Sequence, residues 1–145
     1  MLWKLPPNVK VLEALGCLGD DRIVLKGENK AVVYSSERKR AYLVVFYPET
    51  NKVYSDDNAS KFHHYIGYPI IAFFMKKGII EYDKNLAEKL RGINWHKLNT
   101  DFKRDYAKVE EYAKEICERN GIKREVVDNE IKKTLKKLEE LKLQY

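Results

Sequence analysis

Cysteine is scarce in this chain: Cys17 and Cys117 are the only two, and they lie far apart. They fit no zinc-ligand spacing and build no disulfide framework. The expectation is two reduced, buried thiols in a cytoplasmic protein. Long apolar runs are missing as well. The longest, Tyr68 to Met75, is cut off by Lys76 and Lys77, well short of the roughly 18 residues a membrane span needs. The opening Met1-Leu2-Trp3-Lys4-Leu5-Pro6-Pro7 lacks the charged start and apolar stretch of a secretory signal. The seven glycines are scattered as stops and form no phosphate-cradling loop. Gly-x-Ser-x-Gly, His-Glu-x-x-His and Cys-x-x-Cys are all absent, which argues against the common hydrolase, zincin and redox classes. No metal or cofactor is expected, and the balance points away from an enzyme. Glutamine occurs once, at Gln144, while Lys and Glu dominate the charged residues. That bias resembles a thermophile's proteome.

What is present describes a globular α+β chain. The 145 residues are 44% hydrophobic and 12% aromatic, enough for one core without staples. We expect one domain over 1–145, β-rich with an N-terminal helix over 1–60 and helical over 61–145. Asn8 stands where a helix cap would, before the apolar stripe Val9, Leu12 and Leu15 or Cys17, which Gly16 and Gly19 stop. Ile23–Leu25, Ala31–Tyr34, Ala41–Tyr47 and Lys52–Ser55 read as strands joined by short turns. They imply a small antiparallel meander of three to four strands. Ser55 to Gly67 reads as a polar connection. A buried helix follows from about Pro69 to Gly78, and a short one starts at Asp83. Phe102, Tyr106, Val109, Ala113 and Ile116 make one stripe, and Val127, Ile131, Leu135, Leu138 and Leu141 a second. With Asn120-Gly121 between them they predict a long C-terminal helical hairpin. These stripes need a cover: the sheet, the buried helix or a partner chain.

Lys and Arg number 28 against 22 Asp and Glu, a formal net charge of +6, which can serve polyanion binding. Two basic groups stand out. Arg38, Lys39 and Arg40 occupy a hairpin turn flanked by Tyr34, Tyr42 and Tyr47, a setting where cations hold phosphates and aromatics stack on bases. Lys133 and Lys137 share a face of the last helix, near Lys132, Lys136, Lys123 and Arg124. Charged gatekeepers on a sheet edge and a solvated helix face are the plainer explanations.

The remaining chemistry-bearing residues are few. Asp56, Asp57, His63 and His64 form the densest cluster of catalytic residue types, though adjacent histidines in a strand point to opposite faces. Asp20 and Asp21 sit where turns favour Asp. Arg91 and His96 have a spacing that resembles the Arg-x4-His signature of HEPN-type ribonucleases, but Gly92 and Asn94 interrupt the helix that signature needs. The first expectation is a non-catalytic accessory protein that binds nucleic acid, RNA before DNA, or a ribonucleoprotein, through Arg38, Lys39, Arg40, Lys133 and Lys137. The second is a protein-interaction subunit, or a homodimer, built on the helical hairpin. The third is a small metal-dependent hydrolase or nuclease using Asp56 to His64.

Overall fold

The computed structural model describes residues 1–145. Strands β1 (Ile23–Leu25), β2 (Lys30–Tyr34), β3 (Ala41–Tyr47) and β4 (Lys52–Ser55) form one antiparallel sheet in sequence order. The β-branched and aromatic content of these segments suits a pleated, half-buried surface. Register fixes the two faces: Ala31 lies opposite Val44, Val44 opposite Ser55, and Ile23 opposite Val33. All five are buried. The alternate residues Val24, Val32, Leu43, Val45 and Tyr54 share the other face, where none is buried.

Two helices carry the core. In α1 (Val9–Gly19) every residue from Val9 to Cys17 is buried, and in α3 (Tyr68–Lys76) every residue from Pro69 to Met75. Helix α3 packs on the sheet, and α1 packs on α3 from the other side. Asn8, before α1, makes no side-chain cap. The segment read as a polar connection contains a short helix, α2 (Asn58–His63), because Asp57 caps it by accepting from Ser60 N–H. Its six residues carry no apolar stripe for a periodicity argument to find. Helix α4 (Lys84–Lys89) begins at the Asp83 cap, as the sequence suggests.

The last third corrects the sequence reading in one place. Phe102 does not start the first long helix; it terminates a separate one, α5 (Trp95–Asp101), capped by Asn94. Lys103 and Arg104 then take positive φ, which breaks the helix, and Asp105 caps α6 (Tyr106–Arg119). Gly121, at φ +83, closes α6 and lets the chain turn into α7 (Arg124–Leu141). The buried stripes are Val109, Ala113 and Cys117 on α6 and Val127, Ile131 and Leu138 on α7. Both helices of this pair pack on α1, so their cover comes from within the chain. Lys114 ties α6 to α7 through Asp128 at 2.6 Å, and Arg124 reaches back to Glu118 at 2.7 Å. The ends are strapped to the sheet's β4 edge, where Val53 N–H donates to Gln144 O, and Trp3 N–H donates to Leu143 O.

Four elements converge at one end of this stack: the C-terminal half of α1, the β2–β3 turn, the start of α3, and α5. Asp20 is their tie. Its Oδ1 accepts from Gly92 N–H at 2.7 Å, its Oδ2 from Arg22 Nε at 3.0 Å, and its carbonyl from Arg38 Nη2 at 3.1 Å. Ser36 Oγ adds a second tie, accepting from His96 N–H at 3.1 Å.

Candidate functional site: a polar chamber behind a cationic cleft

Charged groups inside α1 begin the site. An apolar helix buried on all sides has no reason to carry ions unless they answer one another. Lys10 and Glu13 are 8% and 3% exposed, and Lys10 Nζ stands 2.9 Å from Glu13 Oε2. Lys10 also lies over the Tyr106 ring, 4.7 Å from its centroid. Burial pulls the Lys10 ammonium toward its neutral form, but Glu13 outweighs that and the pKa ends above its ordinary value. Burial, backed by a hydrogen bond with Tyr106, pushes the nearby Tyr65 phenol up to about 12.

Arg22, just before β1, is the second ion. It is 2% exposed. Its Nε donates to Asp20 and its Nη1 to Tyr34 O at 2.7 Å, while Nη2 hydrogen-bonds to no other group of the protein. The guanidinium lies 5.9 Å from the Tyr68 ring centroid. Burial works against the charge, yet Cys17, Tyr68 and Asp20 around it hold Arg22 protonated, and burial drives the Tyr68 phenol far above its usual range.

Between Glu13 and Arg22 lies a chamber of about 140 Å³. Trp95, from α5, lines it; Ser35, Tyr42, His96 and Asn99 stand toward its mouth. The Trp95 indole is 2% exposed and its Nε1–H has no acceptor in the protein. It can approach α1 because position 16 is glycine: a Cβ there would sit 2.7 Å from Nε1. Asn99 Nδ2 donates to Glu13 Oε1 at 3.4 Å and its Oδ1 is left unpartnered. Four atoms beside the chamber thus lack a hydrogen-bond partner, the donors Arg22 Nη2 and Trp95 Nε1 and the acceptors Asn99 Oδ1 and Glu13 Oε2, the last held by its ion pair with Lys10; all four are sealed from solvent. Leaving such atoms unsatisfied costs about 1–3 kcal/mol each. Native folds keep few of them, and each one calls for an explanation.

The mouth opens on a larger cleft of about 410 Å³. Ser35, Tyr42, His96 and Asn99 border both spaces. The outer cleft adds Lys39 and Arg40 from the β2–β3 turn and Arg104 from the end of α5. Lys39 is loosely paired with Glu37 at 3.9 Å, which also faces His96 Nε2 at 3.8 Å. Arg40 and Arg104 have no carboxylate within ion-pair distance.

The five cations singled out from the sequence separate. Lys39 and Arg40 line the cleft, while Arg38 turns to Asp20. Lys133 and Lys137 line another hollow with Gly78 and Ile80, and Lys133 pairs with Glu130 at 3.0 Å. Tyr68 opens α3 at the chamber and Gly78 follows its far end, so a helix of nine residues, about 13 Å long, separates the two groups. Arg124 is held by Glu111 and Glu118.

The Asp56–His64 cluster is taken up in local structure. Asp56 Oδ1 accepts from Leu43 N–H at 2.8 Å, and Asp57 caps α2 while also accepting from the hydroxyls of Ser55 and Ser60. His63 stacks on Tyr65 and His64 on Tyr145. No three His, Cys, Asp or Glu side chains stand close enough to share a metal ion. Arg91 follows α4 and His96 lies in α5, with Gly92 at φ +84 between them, so the Arg-x4-His pair does not share a helix.

Sequence reasoning missed Lys10, Glu13, Arg22, Tyr68, Trp95 and Asn99. One signal was available. Lys10 and Glu13, three residues apart, are the only charged residues in a helix otherwise made of Val, Leu, Ala, Gly and Cys.

The fold and site define an α+β protein with a polar chamber at the junction of its sheet and helices. The chain belongs to the family described as uncharacterised conserved protein UCP014422, whose model matches residues 3–144. No curated protein and no solved structure matches it.

Proposed function

We propose that the protein binds nucleic acid, RNA before DNA, in the cleft between the β2–β3 turn and α5. The observation that carries this reading is that Arg40 and Arg104 line one concave surface without carboxylate partners. Cations held beside an aromatic at the mouth of a pocket suit a flexible strand better than a duplex. Phosphates neutralise the rim while an unstacked base meets a ring or a pocket, the mode by which single-stranded RNA is read. Tyr42 and His96 are the rings at this mouth. The role of Lys133 and Lys137 is a separate one, because α3 lies between them and the cleft. The test is binding of the purified protein to short single-stranded RNA and DNA across a salt series. Affinity should fall steeply with salt as condensed counterions are released, and Arg40→Ala with Arg104→Ala should flatten that slope by about one to two. Binding that ignores salt, or that the double variant leaves unchanged, would refute the reading.

A second reading, a protein-interaction subunit, rests on the uncovered sheet face. Val24 and Tyr54 are exposed there beside half-buried Val32, Leu43 and Val45, and a contiguous exposed apolar patch marks interaction sites. Its natural test is the mass of the protein in solution at increasing concentration.

A further inference from the structure

A second hollow lies at the β4 edge and shares no lining residue with the cleft. Tyr42 borders the cleft and Tyr47 the hollow, both on β3, so about 17 Å of strand separates them. The hollow holds about 320 Å³, within the range of small-molecule sites. Rings make its walls. The Trp3 ring centroid is 5.3 Å from Tyr145 and 6.0 Å from His64, and His64 stacks on Tyr145 at 4.0 Å. Tyr47 and Tyr54 line it from the sheet and are 47% and 50% exposed, so their ring surface is free for contact. The walls are fixed without a ligand. Trp3 Nε1–H donates to Gln144 O at 2.9 Å, and the same carbonyl accepts from Val53 N–H of β4.

Charge selects among the ligands such walls could take. Rings alone would suit a cation, but Lys52 and Lys61 line the same hollow, and neither has a carboxylate within ion-pair distance. Lys61 Nζ stands 5.6 Å from the Phe62 ring centroid, a contact that leaves its charge unmatched. Asp57 does not answer either lysine. It is 5% exposed and accepts from the hydroxyls of Ser55 and Ser60, which uses the two hydroxyls that border the hollow. No arginine lines it, so the planar fork that grips a phosphate is missing. What remains is two point charges beside flat, apolar walls. We infer that the hollow binds an aromatic carboxylate, its ring against the tyrosine and tryptophan walls and its charge toward Lys52 and Lys61. A hollow of about 320 Å³ is about twice the roughly 150 Å³ that accommodates one benzene ring, so it admits two fused rings. This site stands apart from the nucleic-acid reading of the cleft and does not depend on it.

The experiment titrates the full chain with naphthoate, the neutral naphthalenemethanol and the cationic naphthylmethylamine. Benzoate, cyclohexanecarboxylate and naphthyl phosphate complete the set. Calorimetry gives the affinities. Trp3 and Trp95 are the only tryptophans, so two indole N–H resonances, assigned with Trp3→Phe, report the hollow and the helical interior separately. Naphthoate should shift the Trp3 signal and leave that of Trp95 in place. It should bind on the order of tenfold tighter than the alcohol, about 1.4 kcal/mol, with the amine weakest. Lys52→Met with Lys61→Met should erase that preference and keep the alcohol's affinity, while Tyr54→Ala should weaken both. All three residues are exposed, so these variants should fold. Equal affinity for acid and amine, or a lysine double variant that keeps the preference, would overturn the charge assignment. Cyclohexanecarboxylate equal to benzoate would overturn the flat ring, and naphthyl phosphate far above naphthoate would overturn the carboxylate. A mass that rises with protein concentration and falls on adding naphthoate would give the hollow to a second copy of the chain instead. Displacement of naphthoate by oligonucleotide would overturn its separation from the cleft. An unmoved Trp3 resonance in millimolar naphthoate would overturn the site outright.

Discussion

Substituting Glu13 by Gln tests the central claim that the chamber is built on buried, mutually dependent ions. The change keeps the side chain's size and its carbonyl for Asn99, and removes only the charge. What remains is the Lys10 ammonium, 8% exposed, with the Tyr106 ring as its other neighbour. Breaking one partner out of a buried pair costs about 3–5 kcal/mol, because the survivor is left desolvated and uncompensated. Against a total stability of roughly 5–15 kcal/mol for a domain, that is a large share. For a chain of this length it corresponds to a fall of roughly 6–20 °C in Tm. The pH dependence carries the sharper signature. In the natural protein the folded Lys10 pKa lies above its unfolded value, with Glu13 outweighing the burial that works the other way. Its contribution is therefore complete below about 10.4, the unfolded value, and is lost as pH rises through the folded one. In Glu13→Gln the sign reverses. Burial now depresses the folded pKa, the unfolded state binds more protons, and stability climbs as pH rises toward about 10.4. Urea melts from pH 7 to 10 with circular dichroism measure both slopes. A loss under about 1 kcal/mol at pH 7, or a stability that does not rise with pH in the variant, would mean the pair is hydrated and its two ions do not depend on one another. The double change Lys10→Met with Glu13→Leu should recover most of the loss, since replacing a buried pair by apolar groups is often neutral or better.

Three further outcomes follow from the packing. Gly19→Ala places a Cβ 2.1 Å from the backbone carbonyl of Ala87. Helices α1 and α4 must move apart, at about 1–3 kcal/mol in urea melts, and a variant as stable as the parent would disprove the close approach. Asp57→Ala removes the α2 cap and strands the buried Ser60 hydroxyl that donates to it at 2.8 Å. The expected cost is about 2–3 kcal/mol, with proteolysis in 58–63 as a local readout. Burial pushes the Cys17 thiol up to about 12 and the Cys117 thiol up to about 11. Neither should react with a thiol reagent at pH 8 until denaturant is added, and rapid native labelling of either would contradict its burial.

Taken alone, the amino-acid order determined what is local. Strands β3 and β4 fall at Ala41–Tyr47 and Lys52–Ser55, where β-branched density and turn residues put them. Short turns between neighbours dictated the antiparallel meander, and Gly78, Gly92 and Gly121 ended helices because their positive φ costs little there. Boundaries resting on a cap or a brief break were weaker. Helix α2 hangs on Asp57 and the α5–α6 break on Lys103 and Arg104, with no periodicity to announce either. Lys39 and Arg40 were legible as candidates because a turn must expose its residues. Their neighbour Arg38 was not separable from them, since only the approach of Asp20 draws it away.

Tertiary structure alone decided the chamber. Lys10 and Glu13 are close by helical spacing, but Arg22 comes from a strand's edge and Trp95 and Asn99 from a helix far along the chain. Their meeting depends on how α1, the β2–β3 turn and α5 pack. Burial also reverses what a residue type suggests. Exposed, Arg22 and Glu13 would be ordinary surface charges; enclosed, each must be matched, by Asp20 and by Lys10. Hydrophobic periodicity records which face of an element is inside, but it holds no information about which two insides touch.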